Sequence, residues 1–349
     1  MIQIPETDLQ IDERQLVAGC IDFLVLVQYP DPDDVRDFID RGLGALGDRA
    51  KFYIADNMRD CAPFGDKAMS KLDTWLSRPR PFKQYWMQIG ERGPRLGVSA
   101  GSLDIDFRPR PPLSPAQLEA RHAADQRIFD SIGRMVTPPV THLRLTLPVE
   151  QALADPAMFR DWVMDFRFAQ RGTFVAGHAG LAINIDISVG SDRLRAAMVS
   201  RVASVLARHP GIGWHNPGSM TCDLFRFFPD RLDLVPQFLR VHWLTLLRDE
   251  TLGLCGETAK VKNALTQVPG VLIHPLPGGI AVQIGDAPQP GDLTKRDFLN
   301  DYRAVARILA PARLPKHSGI TGDRGAFPEA AAQAWLEAFE RDYDAGGGE

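Results

Sequence analysis

Between positions 16 and 29 apolar residues occupy both sides of a two-residue period. Val17, Ile21, Phe23, Val25, Val27 and Tyr29 share one face and Ala18, Cys20, Leu24 and Leu26 the other. Such a run predicts a strand covered on both sides. Asp31-Pro32 then opens a helix in which Val35, Phe38, Ile39, Leu43 and Leu46 recur at helical spacing. A second helix is expected from Asp66 to Ser77, stopped by Arg78-Pro79-Arg80-Pro81 because each proline removes a backbone donor and restricts the residue before it.

Three later segments alternate more cleanly. Leu103, Ile105 and Phe107 oppose Ser102, Asp104 and Asp106; Leu143, Leu145 and Leu147 oppose His142, Arg144 and Thr146; Leu181, Ile183, Ile185 and Ile187 oppose Ala182, Asn184, Asp186 and Ser188. Each is expected to bury one face and wet the other, as strands of antiparallel sheets do. A helix from Ser191 to Arg208 follows, then a hairpin of residues 271–274 and 279–284 around Pro-Gly-Gly. Phe298, Tyr302, Val305 and Leu309 predict an amphipathic helix.

These elements predict an α+β fold of mostly antiparallel sheets flanked by helices. The proline-rich stretch from Arg108 to Pro115 suits an extended connector. The expected division is residues 1–108, an α+β subdomain; 109–140, the connector and a helix; 141–328, a second α+β subdomain; and 329–349, a helix with a Gly-rich tail. A strand followed by an Asp-Pro-opened helix occurs on both sides of the connector, at Asp31-Pro32 and Asp155-Pro156, which is compatible with two similar subdomains.

Composition narrows the function classes. The chain has 349 residues and a net charge of −4, which argues against a bulk nucleic-acid binder. With 44% hydrophobic and 24% charged residues it reads as an ordinary globular protein. No apolar run approaches the roughly 18 residues of a membrane span, and the acidic N-terminus lacks the basic start of a secretory signal. A cytoplasmic location is therefore expected. Cys20, Cys61, Cys222 and Cys255 form no CxxC pair and are expected as buried thiols.

The charge is unevenly distributed. Residues 1–40 hold ten acids against two bases, a net of −8, leaving +4 for the other 309. An acidic pole can steer a basic partner. Asp31, Asp33 and Asp34 also sit where carboxylates favour the positive end of a helix dipole, and the two roles are compatible.

Several motifs invite an enzymatic reading. Gly97-Val98-Ser99-Ala100-Gly101 matches G-x-S-x-G, but the chain continues as a strand where a nucleophile elbow needs a helix. Gly42-Leu43-Gly44-Ala45-Leu46-Gly47 matches G-x-G-x-x-G, yet it closes a helix instead of opening one, as a C-cap cluster would. Asp104, Asp106 and Asp186 would suit a magnesium site only if their strands converge; otherwise they line a solvated face. His209 and His215 lack the further ligands of a zinc site. No cofactor or metal is expected, with a Ser99 hydrolase or a carboxylate metal enzyme as the alternative.

Three blocks in the last third carry a likeness. They are Val241-His242-Trp243-Leu244-Thr245-Leu246-Leu247; the run from Gln283 through Gly285 and Gly291 to Asp292; and the run from Tyr302-Arg303 to Arg313. In order and spacing they resemble the bacterial type VI secretion immunity proteins directed against VRR-type nuclease effectors, departing at His242 where that pattern has asparagine. The resemblance implies a protein without catalysis that binds a cognate nuclease effector and keeps it from DNA, with no direct nucleic-acid or membrane partner. Read as residues, Trp243 and Thr245 suit a buried element, Gln283, Tyr302, Arg303 and Arg313 a structural framework, Gly285 and Gly291 tight turns, and Asp292 a backbone cap. The acids expected to meet the effector are Asp31, Asp33, Asp34 and Asp37, then Asp104 and Asp106.

Overall fold

A computed structural model of the chain describes residues 17–56, 58, 60–80, 83–91, 100–109, 140–185, 192–214, 225–228, 233–314 and 329–341. The long apolar run forms β1 (Val17–Gln28), buried on both faces as its pattern predicts. Asp31 caps α1 (Pro32–Leu46), accepting from the Asp33 amide at 2.9 Å, and Gly47 closes the helix at φ 52°. Helix α1 turns Val35, Phe38 and Ile39 inward. Its Gly42 lies so close to the sheet that a Cβ there would stand 2.9 Å from the Leu103 side chain.

The N-terminal part continues with β2 (Phe52–Ala55), β3 (Ala62–Pro63), α2 (Asp66–Ser77), β4 (Tyr85–Gly90) and β5 (Ser102–Phe107). Then come β6 (Val140–Leu147), α3 (Val149–Ala152), α4 (Pro156–Met164), α5 (Arg167–Arg171), β7 (Phe174–Ile185), α6 (Asp192–Arg208) and β8 (Gly213–Trp214). A separate two-stranded ribbon pairs β9 (Phe225–Phe228) with β10 (Asp233–Pro236). The last third holds β11 (Leu244–Arg248), α7 (Asp249–Gly253), α8 (Thr258–Thr266), β12 (Val271–Leu276), β13 (Gly279–Ile284), α9 (Asn300–Leu309) and α10 (Glu329–Leu336).

All strands outside the β9–β10 ribbon join one 11-stranded sheet, with order β12-β13-β11-β7-β1-β6-β5-β4-β2-β3 and short β8 parallel to β7. Every other pairing is antiparallel, so the α+β expectation holds. The sheet runs unbroken across the expected boundary near residue 108, because β5 pairs with β6 from Ser102↔Thr146 to Asp106↔His142. Beyond Pro109 the proline-rich connector lies outside the described residues, which resume at Val140. Pro63 and Pro275 sit in the two terminal strands of the sheet, β3 and β12.

One face of the sheet carries the aromatic core. Phe23 on β1 meets Phe38 on α1 at 5.8 Å and Phe166 at 5.1 Å between ring centroids, and Trp162 of α4 meets Phe166 edge-on at 4.7 Å. Each fully buried ring of this kind contributes about 1.5–3 kcal/mol over an exposed one.

The opposite face corrects an expectation. Asp104, Asp106, His142, Arg144, Thr146 and Asn184 were expected in water, but all are buried. Over β7 and β11 this face is covered by the segment 237–242, where Arg240 and His242 are themselves buried. Alternation of polar and apolar residues describes two chemically different faces; it does not require that one of them be wet.

Candidate functional site

The start of α1 gathers the acids of the expected pole, and the structure divides them. Asp31 and Asp33 are exposed. Asp34 is only 1% exposed and accepts from the Arg171 guanidinium of α5 at 2.8 Å. Burial raises its carboxyl above the usual range, a shift that Arg171 opposes. Asp37 accepts from Arg41 at 3.1 Å and from the Arg167 amide at 3.2 Å. Arg41 also reaches Asp165 beyond α4 at 2.9 Å, and Arg36 pairs with Asp73 of α2. Asp34 is thus tied to Arg171 of a neighbouring helix and Asp37 to Arg41 of α1 itself, and Asp33 keeps its carboxylate in solvent at the helix start.

Asp104 and Asp106, the second-choice acids, lie inside the molecule at 7% and 4% exposure. Asp104 accepts from the Ser102 hydroxyl at 3.2 Å and lies 3.8 Å from Arg144. Arg144 in turn donates to Asp22 of the adjacent strand at 3.0 Å and to Asn184 at 3.4 Å. Asp106 accepts from Gln84 at 2.7 Å and pairs with Arg108 at 3.5 Å. Burial raises the carboxyls of Asp22, Asp104 and Asp106 even against these arginines. Of the six acids expected at the partner surface, Asp34, Asp104 and Asp106 are therefore interior, each with a guanidinium partner: Arg171 of α5, Arg144 of β6 and Arg108 after β5.

The same geometry bears on the metal reading. The position between Asp22 and Asp104 that a cation would occupy holds the Arg144 side chain. Among the described residues no three His, Cys, Asp or Glu side chains are grouped to hold a metal. Asp186, His215 and Ser99 lie outside the described residues, and His209 pairs its Nδ1 with the Gly291 carbonyl at 2.6 Å. Cys20 is buried, and burial pushes its thiol up to about 12, whereas Cys61 and Cys255 are only half-buried, contrary to expectation. Cys222 lies outside the described residues.

The motif blocks converge around β11 and β13. Trp243 is buried, stacks on Phe159 at 6.4 Å and donates its indole N–H to the Gly285 carbonyl at 3.2 Å. Thr245 Oγ1 accepts from the His242 amide at 3.0 Å and donates to the His242 carbonyl at 3.2 Å. Gln283 also donates to Gly285, at 2.9 Å, while its Oε1 lies 2.9 Å from His274 Nε2 and accepts from Arg160 at 3.3 Å. Gly285 and Gly291 adopt φ of 70° and 64°, the left-handed turns that favour glycine.

Asp292 accepts from the Thr294 amide at 3.1 Å and takes a two-point contact from Arg208 at 3.0 and 2.8 Å. Those bonds hold its carboxyl far below the usual range. Arg313 grips Glu340 with two bonds at 2.5 and 2.9 Å, Arg303 donates to the Arg341 carbonyl at 2.8 Å, and Tyr302 packs on Phe339 at 5.4 Å. These residues join strands, turns and the C-terminal segment; they bring no nucleophile against a base.

The Asp22–Arg144–Asp104 cluster was not anticipated as a unit. Its signal is a lone acid, Asp22, in an otherwise apolar run, facing a strand with Arg144 on its polar side. Beside it the rings of His178 and His242 stack at 3.9 Å, both buried. His178 lines a pocket with about 20 Å³ of space, together with Leu24, Arg240 and Thr245, room for about one water.

Residues 130–339 match the family model TsiV, described as type VI immunity for VRR-NUC. Among solved structures the chain is similar to a Pseudomonas aeruginosa T6SS protein, PA0821, at 16% identity and a TM-score of 0.67, over 97% of this chain and 88% of that one. That likeness shows a shared fold. No curated protein matches the chain.

Proposed function

This chain belongs to the TsiV family, type VI immunity for VRR-NUC, and from that premise we propose that it binds the nuclease domain of a cognate effector and blocks its DNA-binding active site. The family match over residues 130–339 carries this reading. The chemistry supports it: a nuclease must present a basic, metal-holding cleft to DNA, and an acidic protein of this size can cover such a cleft with an interface of roughly 1,600 Å².

The acids available for that contact are Asp31, Asp33 and the partly exposed Asp37 at the start of α1. Asp34, Asp104 and Asp106 act from inside by fixing the helix and the sheet. Inhibition is by occupation, with no chemical step on the effector. Among the described residues no helix is long and apolar enough to cross a membrane, and the reading places the protein with its effector in the cytoplasm.

The test is DNA cleavage by the cognate effector's VRR-NUC domain under rising amounts of this protein. Inhibition complete near one equivalent is the expected result. Unchanged cleavage at a large molar excess, under conditions where the protein is folded, would overturn the reading.

A further inference from the structure

Among the described residues, two large apolar side chains stand exposed, Met158 at 64% and Leu272 at 49%. They differ in setting. Helix α4 turns Phe159 and Val163 into the core, which leaves Met158, Asp161 and Asp165 at i, i+3 and i+7 on its outward side. The carboxylates of Asp161 and Asp165 are 61% and 66% exposed, the first paired with the mostly buried Arg160 at 2.7 Å and the second with Arg41 at 2.9 Å. Asp165 shares Arg41 with Asp37, so that arginine joins the outward side of α4 to α1. The result is one apolar side chain beside an acid-leaning surface built from two helices. Leu272 instead lies on terminal strand β12, across from Gln283.

We infer that the outward face of α4, joined through Arg41 to α1, is where the effector's nuclease domain docks, with Met158 as its apolar anchor. This rests on the function proposed above. An apolar anchor ringed by polar groups is how interfaces concentrate their energy, and methionine is enriched there while most charged side chains are relegated to the rim. The occupant is set by charge: a surface with Asp33, Asp161 and Asp165 outward complements the basic groove by which a nuclease holds DNA phosphates. Met158 adds what acids alone lack, since rim charges mostly change the encounter rate whereas a buried anchor slows dissociation.

The experiment is calorimetric titration of the full chain with a catalytically inactive VRR-NUC domain of its cognate effector, using wild type, Met158→Lys, Asp161→Lys and Leu272→Lys. All three positions are exposed, and each variant is first matched to wild type in its melting temperature. The expected result is tight 1:1 binding by wild type, weakened about 30-fold by Met158→Lys and about tenfold by Asp161→Lys, with Leu272→Lys within about threefold. Tight binding by wild type that Met158→Lys and Asp161→Lys leave unchanged would overturn this surface while the immunity reading stands. Absence of binding by the wild-type chain would overturn both.

Discussion

The imidazole of His242 lies flat against that of His178, 3.9 Å between centroids and 12° from parallel, and the two come from a loop and a strand far apart in sequence. Burial, with Arg144 and Arg240 nearby, holds His178 down to about 3, and burial, with His178 and Arg240 nearby, holds His242 well below its usual value. Both rings are therefore neutral in the folded protein.

A pH dependence follows. A histidine whose folded pKa is depressed takes its proton first in the unfolded chain, so stability is complete above about 6.5 and declines as pH falls toward the folded value. Between pH 6.5 and 5 each ring is expected to cost about 2 kcal/mol. The raised carboxyls of Asp22 and Asp104 act in the opposite sense, since they bind protons more readily when folded. His242→Asn isolates the histidine part: urea midpoints at pH 7 and 5 should differ less for this variant than for wild type. An equal or larger difference would contradict the assignment.

The Arg144 guanidinium lies between Asp22 and Asp104, 3.0 Å from one and 3.8 Å from the other. Arg144→Met leaves two buried carboxyls without it and is expected to cost about 3–5 kcal/mol. Adding Asp22→Asn and Asp104→Asn should recover part of that loss. Chemical denaturation of the single and triple variants measures both terms.

Gly172 ends α5 at φ 63°, and a Cβ on it would stand 2.0 Å from the Pro277 carbonyl oxygen in the β12–β13 turn. Gly172→Ala combines left-handed strain with a backbone clash and is expected to destabilise by about 2–4 kcal/mol. A thermal melt reads it directly, and an unchanged midpoint would show that the turn can move aside.

The acids can be sorted by position. Asp104→Asn, buried, should lower stability and leave affinity for the nuclease domain unchanged in the folded fraction. Asp33→Lys, exposed at the helix start, should do the reverse, slowing association most at low salt. Stopped-flow association rates at two ionic strengths separate the two.

Glu340→Ala removes the acceptor of both Arg313 bonds and leaves Arg313 half-tethered through the Leu314 carbonyl at 2.6 Å. A loss of about 1–3 kcal/mol is expected. Faster protease cleavage after α10, before the rest of the chain is cut, is the matching observation.

The elements that were legible from sequence are those whose signals are local. Asp31-Pro32 marks a helix start by chemistry that does not depend on the rest of the fold, and α1 and α2 begin and end where the pattern places them. The fate of a polar sheet face is set elsewhere. Arg144 reaches Asp22 across 122 positions, and nothing near either residue reports that a covering layer will arrive over the sheet. The same holds for the acids: Asp33 and Asp34 are neighbours of identical type, yet one is in water and the other is claimed by Arg171 of a helix formed much later in the chain. Met158 escaped notice because an apolar residue in an amphipathic helix reads as core until its angular position is fixed by what the helix packs on.

Pro63 and Pro275 occupy the two outermost strands of the long sheet, the margins where a further strand could pair. A proline offers no amide to an incoming strand, so neither margin can be extended evenly by another chain. The chain gains resistance to templated stacking from this, and under the proposed function an effector is left to recognise side chains on the helical layer instead of borrowing a backbone. Specificity can then change by substitution on one helix while the ladder beneath it stays fixed.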